Sequence, residues 1–66
     1  MNTDMFKKGT MLVGCKTGTR YEVIDDDIEM SYAILRPVGG KPFIVDWMTP
    51  AGTIRKEVFS SYKREE

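Results

Sequence analysis

Four short apolar runs separated by turn residues organise this chain, the pattern of a small all-β domain. The first run is Thr10-Met11-Leu12-Val13-Gly14-Cys15 and the second is Arg20-Tyr21-Glu22-Val23-Ile24. Between them Lys16-Thr17-Gly18-Thr19 supplies a tight reversal, because Gly18 takes the positive φ such a turn needs. A turn centred on Thr17-Gly18 sets Leu12 opposite Val23 and Tyr21 opposite Gly14, where a ring covers the gap a strand glycine leaves.

An acidic connection follows, Asp25-Asp26-Asp27-Ile28-Glu29. The third and fourth runs, Met30-Ser31-Tyr32-Ala33-Ile34-Leu35-Arg36 and Pro42-Phe43-Ile44-Val45-Asp46-Trp47, flank Val38-Gly39-Gly40-Lys41, the strongest hairpin signal in the chain. Centring that turn on Gly39-Gly40 pairs Arg36 with Phe43, Leu35 with Ile44, Ile34 with Val45, Ala33 with Asp46 and Tyr32 with Trp47. One face then holds Phe43, Val45, Trp47, Ile34 and Tyr32, and the other Leu35, Ile44, Ala33 and Asp46. Pro37 and Pro42 sit opposite each other in this register, which implies that no further strand pairs tightly alongside them.

Met48-Thr49-Pro50-Ala51-Gly52 breaks the pattern. Beyond it, apolar residues at 54, 58, 59 and 62 have helical spacing, with Thr53 as a candidate cap. A helical turn followed by a short last strand over 59–62 fits the same residues. The ordered core is expected over 7–62, with flexible ends at 1–5 and 63–66.

These elements predict one mainly β domain over residues 1–66. It is a small barrel or a strongly bent antiparallel sheet of four to five strands, with a short C-terminal helix or helical turn. In strand count, hairpin spacing and closing element, residues 7–62 resemble the small SH3-like barrels. Those that bind proline-rich peptides line a groove with aromatics and acidic loop residues. The resemblance offers Tyr32 and Trp47 for that role, but the aromatic run near the first loop is missing here.

Composition narrows the chemistry. Sixty-six residues bury only about 60% of the surface the unfolded chain exposes. One cysteine, Cys15, and no histidine rule out an internal disulfide and a Cys/His zinc site. Hydrophobic content of 41% fits a globular chain, and no run approaches the roughly 20 apolar residues of a membrane helix. With the lone thiol and no export signal, this suits a reducing cytoplasm. A chain starting at Met1 without cofactor motifs fits a small protein of a phage or other mobile element.

No enzyme signature emerges. Without histidine, Cys15 would depend on Lys16 or Arg20 for activation, and a strand cysteine more often serves as a small hydrophobe. The acidic stretch lacks the spacing of a calcium loop, leaving a solvated loop, weak divalent-ion binding or a contact for a basic surface. Gly39-Gly40 opens no phosphate-binding motif. No cofactor is implied.

Binding signals are stronger. The large apolar residues outnumber the eight to ten, roughly, that a core of this size hides, and both faces of the second hairpin carry them. Some should remain exposed as a contact surface. The candidate protein-binding residues are Tyr32, Trp47, Phe43 and the acidic Asp25, Asp26 and Asp27.

Net charge is zero but uneven: +3 over residues 1–21, −4 over 22–46 and +1 over 47–66. An alternative is therefore a nucleic-acid-binding face built from Lys7, Lys8, Lys16, Arg20, Arg55 and Lys56 with tyrosines nearby, though zero net charge suits that poorly. The expected function is a non-catalytic adaptor or inhibitor that binds a protein partner. The third possibility is an assembly subunit that completes its core as a homodimer.

Overall fold

A computed structural model describes residues 3–65. After a 3-10 turn at Thr3–Phe6 come β1 (Met11–Gly14), β2 (Arg20–Asp27), β3 (Tyr32–Pro37) and β4 (Phe43–Asp46). A short helix, α1 (Lys56–Ser61), then leads directly into β5 (Tyr62–Arg64). All five strands form one antiparallel sheet in the order β4-β3-β2-β1-β5. The sheet is open, so of the two expected architectures the barrel is not the one adopted, and β4 and β5 are both edges.

One face of the sheet holds the core. Leu12, Val23, Ala33, Leu35 and Val45 project from it, and Phe6 and Trp47 pack over them from the flanking segments. Phe6 lies flat on Trp47, with ring centroids 4.9 Å apart and an interplanar angle of 10°. Phe59 and Tyr62 meet Phe6 edge-on at 5.5 and 6.2 Å, and Tyr21 joins Tyr62 to Phe43 at 5.4 and 5.8 Å. Six of the seven aromatic rings thus form one connected cluster; Tyr32 is the exception.

Both hairpins form, but in registers other than those expected. In the first, Leu12 faces Tyr21 rather than Val23, a slip of two residues that leaves the faces unchanged. Gly14 bonds Thr19 and Gly18 across a four-residue loop, and the Tyr21 ring still covers it diagonally: a methyl at Gly14 would lie 3.4 Å from Tyr21 Cε2.

The second hairpin slips by one. Leu35 faces Phe43, Ala33 faces Val45, Ile34 faces Ile44 and Tyr32 faces Asp46. The reversal is centred on Val38-Gly39: Gly39 carries φ +78° and Gly40 donates to the Pro37 carbonyl at 2.9 Å, so the turn starts at the proline. A one-residue slip flips one strand's faces relative to the other. Ala33, Leu35, Phe43, Val45 and Trp47 therefore share the core side, and Tyr32, Ile34, Ile44 and Asp46 the opposite side. Both expected groupings are overturned.

The expectation that no strand pairs beside the prolines also fails, because Pro37 pairs with Tyr21 of β2. Val38 donates to the Arg20 carbonyl, so Tyr21 and Pro37 form a non-hydrogen-bonded pair and the absent N–H costs nothing there.

Asp25, Asp26 and Asp27 belong to β2 rather than to a connecting loop. The register shifts between Val23 and Asp25, which makes Ile24 a bulge. Beyond it Asp25 faces Ile34, Asp26 faces Ala33 and Asp27 faces Tyr32. Met30 and Ser31, read as the start of the third run, complete a turn instead.

At the C-terminus each of the two alternatives holds in part: residues 56–61 are helical and 62–64 extended. Thr53 is not the cap; Arg55 occupies that position without a side-chain capping bond. The tail expected from residue 63 is strand, held by Lys63 opposite Val13, Arg64 opposite Leu12 and the Glu65 N–H to Met11. Residues 3–5, also expected to be flexible, lie in the 3-10 turn that seats Phe6. Met1, Asn2 and Glu66 lie outside the described residues.

Phe6→Ala should remove about 3–5 kcal/mol, a large part of the roughly 3–10 kcal/mol expected for a domain of this length. Urea denaturation followed by Trp47 fluorescence should find the variant largely unfolded without denaturant, with Phe6→Leu intermediate. An Ala variant within about 1 kcal/mol of wild type would refute the stack's role.

Candidate binding face

The side of the sheet opposite the core is covered by no other element among the described residues, and it divides into two halves. Over β5, β1 and the start of β2 it is laced by ion pairs. Arg20 grips Glu65 with two hydrogen bonds that span β1, and Arg36 Nη2 donates to Glu22 Oε1 at 2.9 Å. The bond from Arg20 holds the Glu65 carboxyl below its usual value.

Over β3 and β4 the same side is apolar. Ile34 and Ile44 pair across the strands, with Tyr32 beside them. Met30, Tyr32, Ile34, Ile44, Asp46 and Met48 line an open groove of about 360 Å³. Ile44 is 66% exposed and Met30 70%.

Carboxylates border this groove on both sides. On the edge strand, Asp46 Oδ1 lies 3.0 Å from Arg55 Nε, an ion pair not aligned as a hydrogen bond. On β2, the Ile24 bulge turns Asp25 and Asp27 to the groove side, opposite Ile34 and Tyr32. Their carboxylates accept backbone N–H groups, Asp25 from Asp26 and Asp27 from Met30, and neither forms an ion pair among the described residues. Asp26, on the core side, accepts the Lys8 N–H at 2.7 Å and so anchors the N-terminal segment.

The candidate contact residues are therefore divided. Tyr32, Asp25 and Asp27 lie at the groove or its border. Trp47 is 2% exposed inside the aromatic cluster, with no ring face to offer, and Phe43 stands on the core side against Tyr21. Ile34, Ile44, Met30 and Met48 also line the groove and are not among the candidates drawn from the sequence. With the hairpin slipped by one, the alternation Phe43-Ile44-Val45-Asp46 would have marked Ile44 as outward-facing.

The six basic candidates are spread over several elements, and Lys8 follows the 3-10 turn with its N–H on Asp26. Lys7 pairs with Asp4, Arg20 with Glu65 and Arg55 with Asp46. Lys16 sits in the first hairpin loop and Lys56 opens α1. Arg55 bonds Trp47 at the β4 end of the sheet, so it is remote from Arg20 near the β5 edge. Cys15 is exposed rather than a buried hydrophobe. Among the described residues no helix is long and apolar enough to cross a membrane, and no three metal-ligating side chains converge.

Comparison with protein-family models, curated proteins and solved structures finds no match.

Burial against the cluster, together with the neighbouring Tyr21 hydroxyl, raises the Tyr62 pKa above its ordinary value of 10.0. Below that value Tyr62 is protonated in both states and its contribution is intact. Above it the unfolded chain ionises first, so stability falls until the folded-state pKa is passed. Thermal midpoints measured from about pH 9 to about pH 11 should decline, and less steeply for Tyr62→Phe; an equal slope would remove Tyr62 as the cause.

Proposed function

We propose that this chain is a non-catalytic protein-binding module, an adaptor or inhibitor, that engages its partner through the β3–β4 groove face. One observation carries the reading. The only aromatic ring outside the core cluster, Tyr32, lies in a groove beside an isoleucine 66% exposed and a methionine 70% exposed. Apolar side chains gathered in this way on an uncovered face favour association, because burying one fully is worth about 1.5–3 kcal/mol. Asp25 and Asp27, which form no ion pair among the described residues, favour partners with basic groups beside an apolar contact, and the half-exposed Asp46, shared with Arg55, adds to this more weakly.

The reading places contact energy on Ile44, Ile34, Tyr32 and Met30, and orientation on Asp25, Asp27 and Asp46. Trp47 and Phe43 support the face from the core side. A reducing cytoplasm suits the exposed thiol of Cys15. The basic residues favour the nucleic-acid alternative less, since three of the six are neutralised by carboxylates.

Capture from the source organism's lysate with wild-type, Ile44→Asp and Val38→Asp chains tests this. Val38 is as exposed as Ile44 but lies in the hairpin turn. A protein retained by wild type and Val38→Asp should bind Ile44→Asp about 30-fold more weakly. Equal loss in both variants, or retention that depends on nuclease-sensitive material, would overturn the assignment.

A further inference from the structure

The groove runs beside an unpaired strand edge, and the two features specify the shape of what binds. Trp47 N–H donates to the Ser31 carbonyl. Hydrogen-bonded and non-hydrogen-bonded pairs alternate along an antiparallel ladder. Val45 with Ala33 and Phe43 with Leu35 are therefore hydrogen-bonded pairs, whereas Ile44 with Ile34 and Asp46 with Tyr32 are not. The N–H and C=O groups of Ile44 and Asp46 consequently point away from β3 toward the open edge. Among the described residues no strand pairs with β4 there.

The two edges of the sheet differ in their protection. Natural edges are blunted by short length, charge, proline or bulges. β5 is three residues long and carries Lys63 and Arg64. β4 has Lys41 and Pro42 before it and a folded-back segment after it, where Met48 bridges Ile54. Between them Phe43–Asp46 offers about 13 Å of unguarded backbone. Both residues whose backbone points outward, Ile44 and Asp46, also place their side chains at the groove.

We propose that an extended peptide adds to β4 as a sixth strand, with an apolar residue against Ile44 and a Lys or Arg two positions along against Asp46. This rests on the groove face being the binding surface and specifies its ligand. Side chains two apart on a strand share a face, so one peptide strand reaches both positions. Asp46, its direct neighbour, faces Arg55 through Oδ1 but keeps 57% of its side chain exposed, so an incoming Lys or Arg shares that carboxylate with Arg55. Asp25 and Asp27, further in, form no ion pair among the described residues and add a negative field within roughly a Debye length. A second copy of this chain fits less well. It would bring the same negative border against itself.

The test is selection of a displayed random peptide library against the full chain. Amide hydrogen exchange with a synthesised enriched peptide then follows. Enriched peptides should share the apolar-x-Lys/Arg spacing, slow exchange at the Ile44 and Asp46 amides at least about tenfold, and lose the basic preference against Asp46→Asn. Peptides that bind, are lost with Ile44→Asp, yet leave those amides unprotected would overturn strand addition while the groove face stands. Peptides that bind Ile44→Asp equally would overturn both. Protection of the two amides without peptide, with a dimeric mass by light scattering, would assign the edge to a second copy and also end the proposal.

Discussion

The rest of the structure depends on the flat stack of Phe6 on Trp47. With a single cysteine no internal disulfide ties this chain together, and the sheet alone is a single layer with an apolar side to hide. The 3-10 turn delivers Phe6 to the middle of that side. Trp47 arrives from the end of β4, and Phe59 and Tyr62 close over both. Offset and edge-on ring pairs add about 0.5–1.5 kcal/mol each beyond their buried area. In so short a chain such increments are a substantial fraction of the total. The stack joins residues 41 positions apart, and Phe59 and Tyr62 extend it to the C-terminal elements, so the N-terminal turn, α1 and β5 share one core.

Committing six rings to one side determines what the other side can be. Among the described residues no helix is left to cover it, since α1 spans six residues and continues into β5. Half of that side is made compatible with water by arginine–carboxylate pairs over Met11 and Val13. The other half could have been treated alike and was not. The Ile24 bulge matters here, because without it Asp25 and Asp27 would fall on the core side, where unpaired carboxylates are costly. The bulge moves them to the border of the groove and leaves Asp26 to cap the Lys8 amide.

The strands, their order along the chain and the mainly β class were legible because alternation and glycine-marked turns are local signals. Register was not. Thr17-Gly18 and Gly39-Gly40 each suggested a two-residue reversal. The chain instead uses a four-residue loop after Gly14 and a turn that begins at Pro37. The first error was harmless, being an even slip. The second was an odd slip, and it set Ile44 rather than Val45 opposite Ile34 and Asp46 rather than Trp47 opposite Tyr32. The role of Phe6 as centre of the cluster, and of residues 62–64 as strand, depend on contacts more than forty positions away that no local pattern carries. The acidic stretch shows the same limit: its composition was evident, but whether three aspartates formed a loop or a strand depended on pairing with β3.

Ile44 sits where these constraints meet. Its side chain contributes little to folding, because 66% of it remains in water in the folded chain. Its N–H and C=O are likewise unused by the sheet. A residue that gives neither apolar burial nor outward hydrogen bonds to its own fold leaves both available to the proposed sixth strand. Such binding stabilises the fold by mass action, in proportion to the logarithm of partner concentration over Kd. That increment does not depend on the fold's own stability, so for a core as small as this one the proposed peptide would supply a larger fraction of the total.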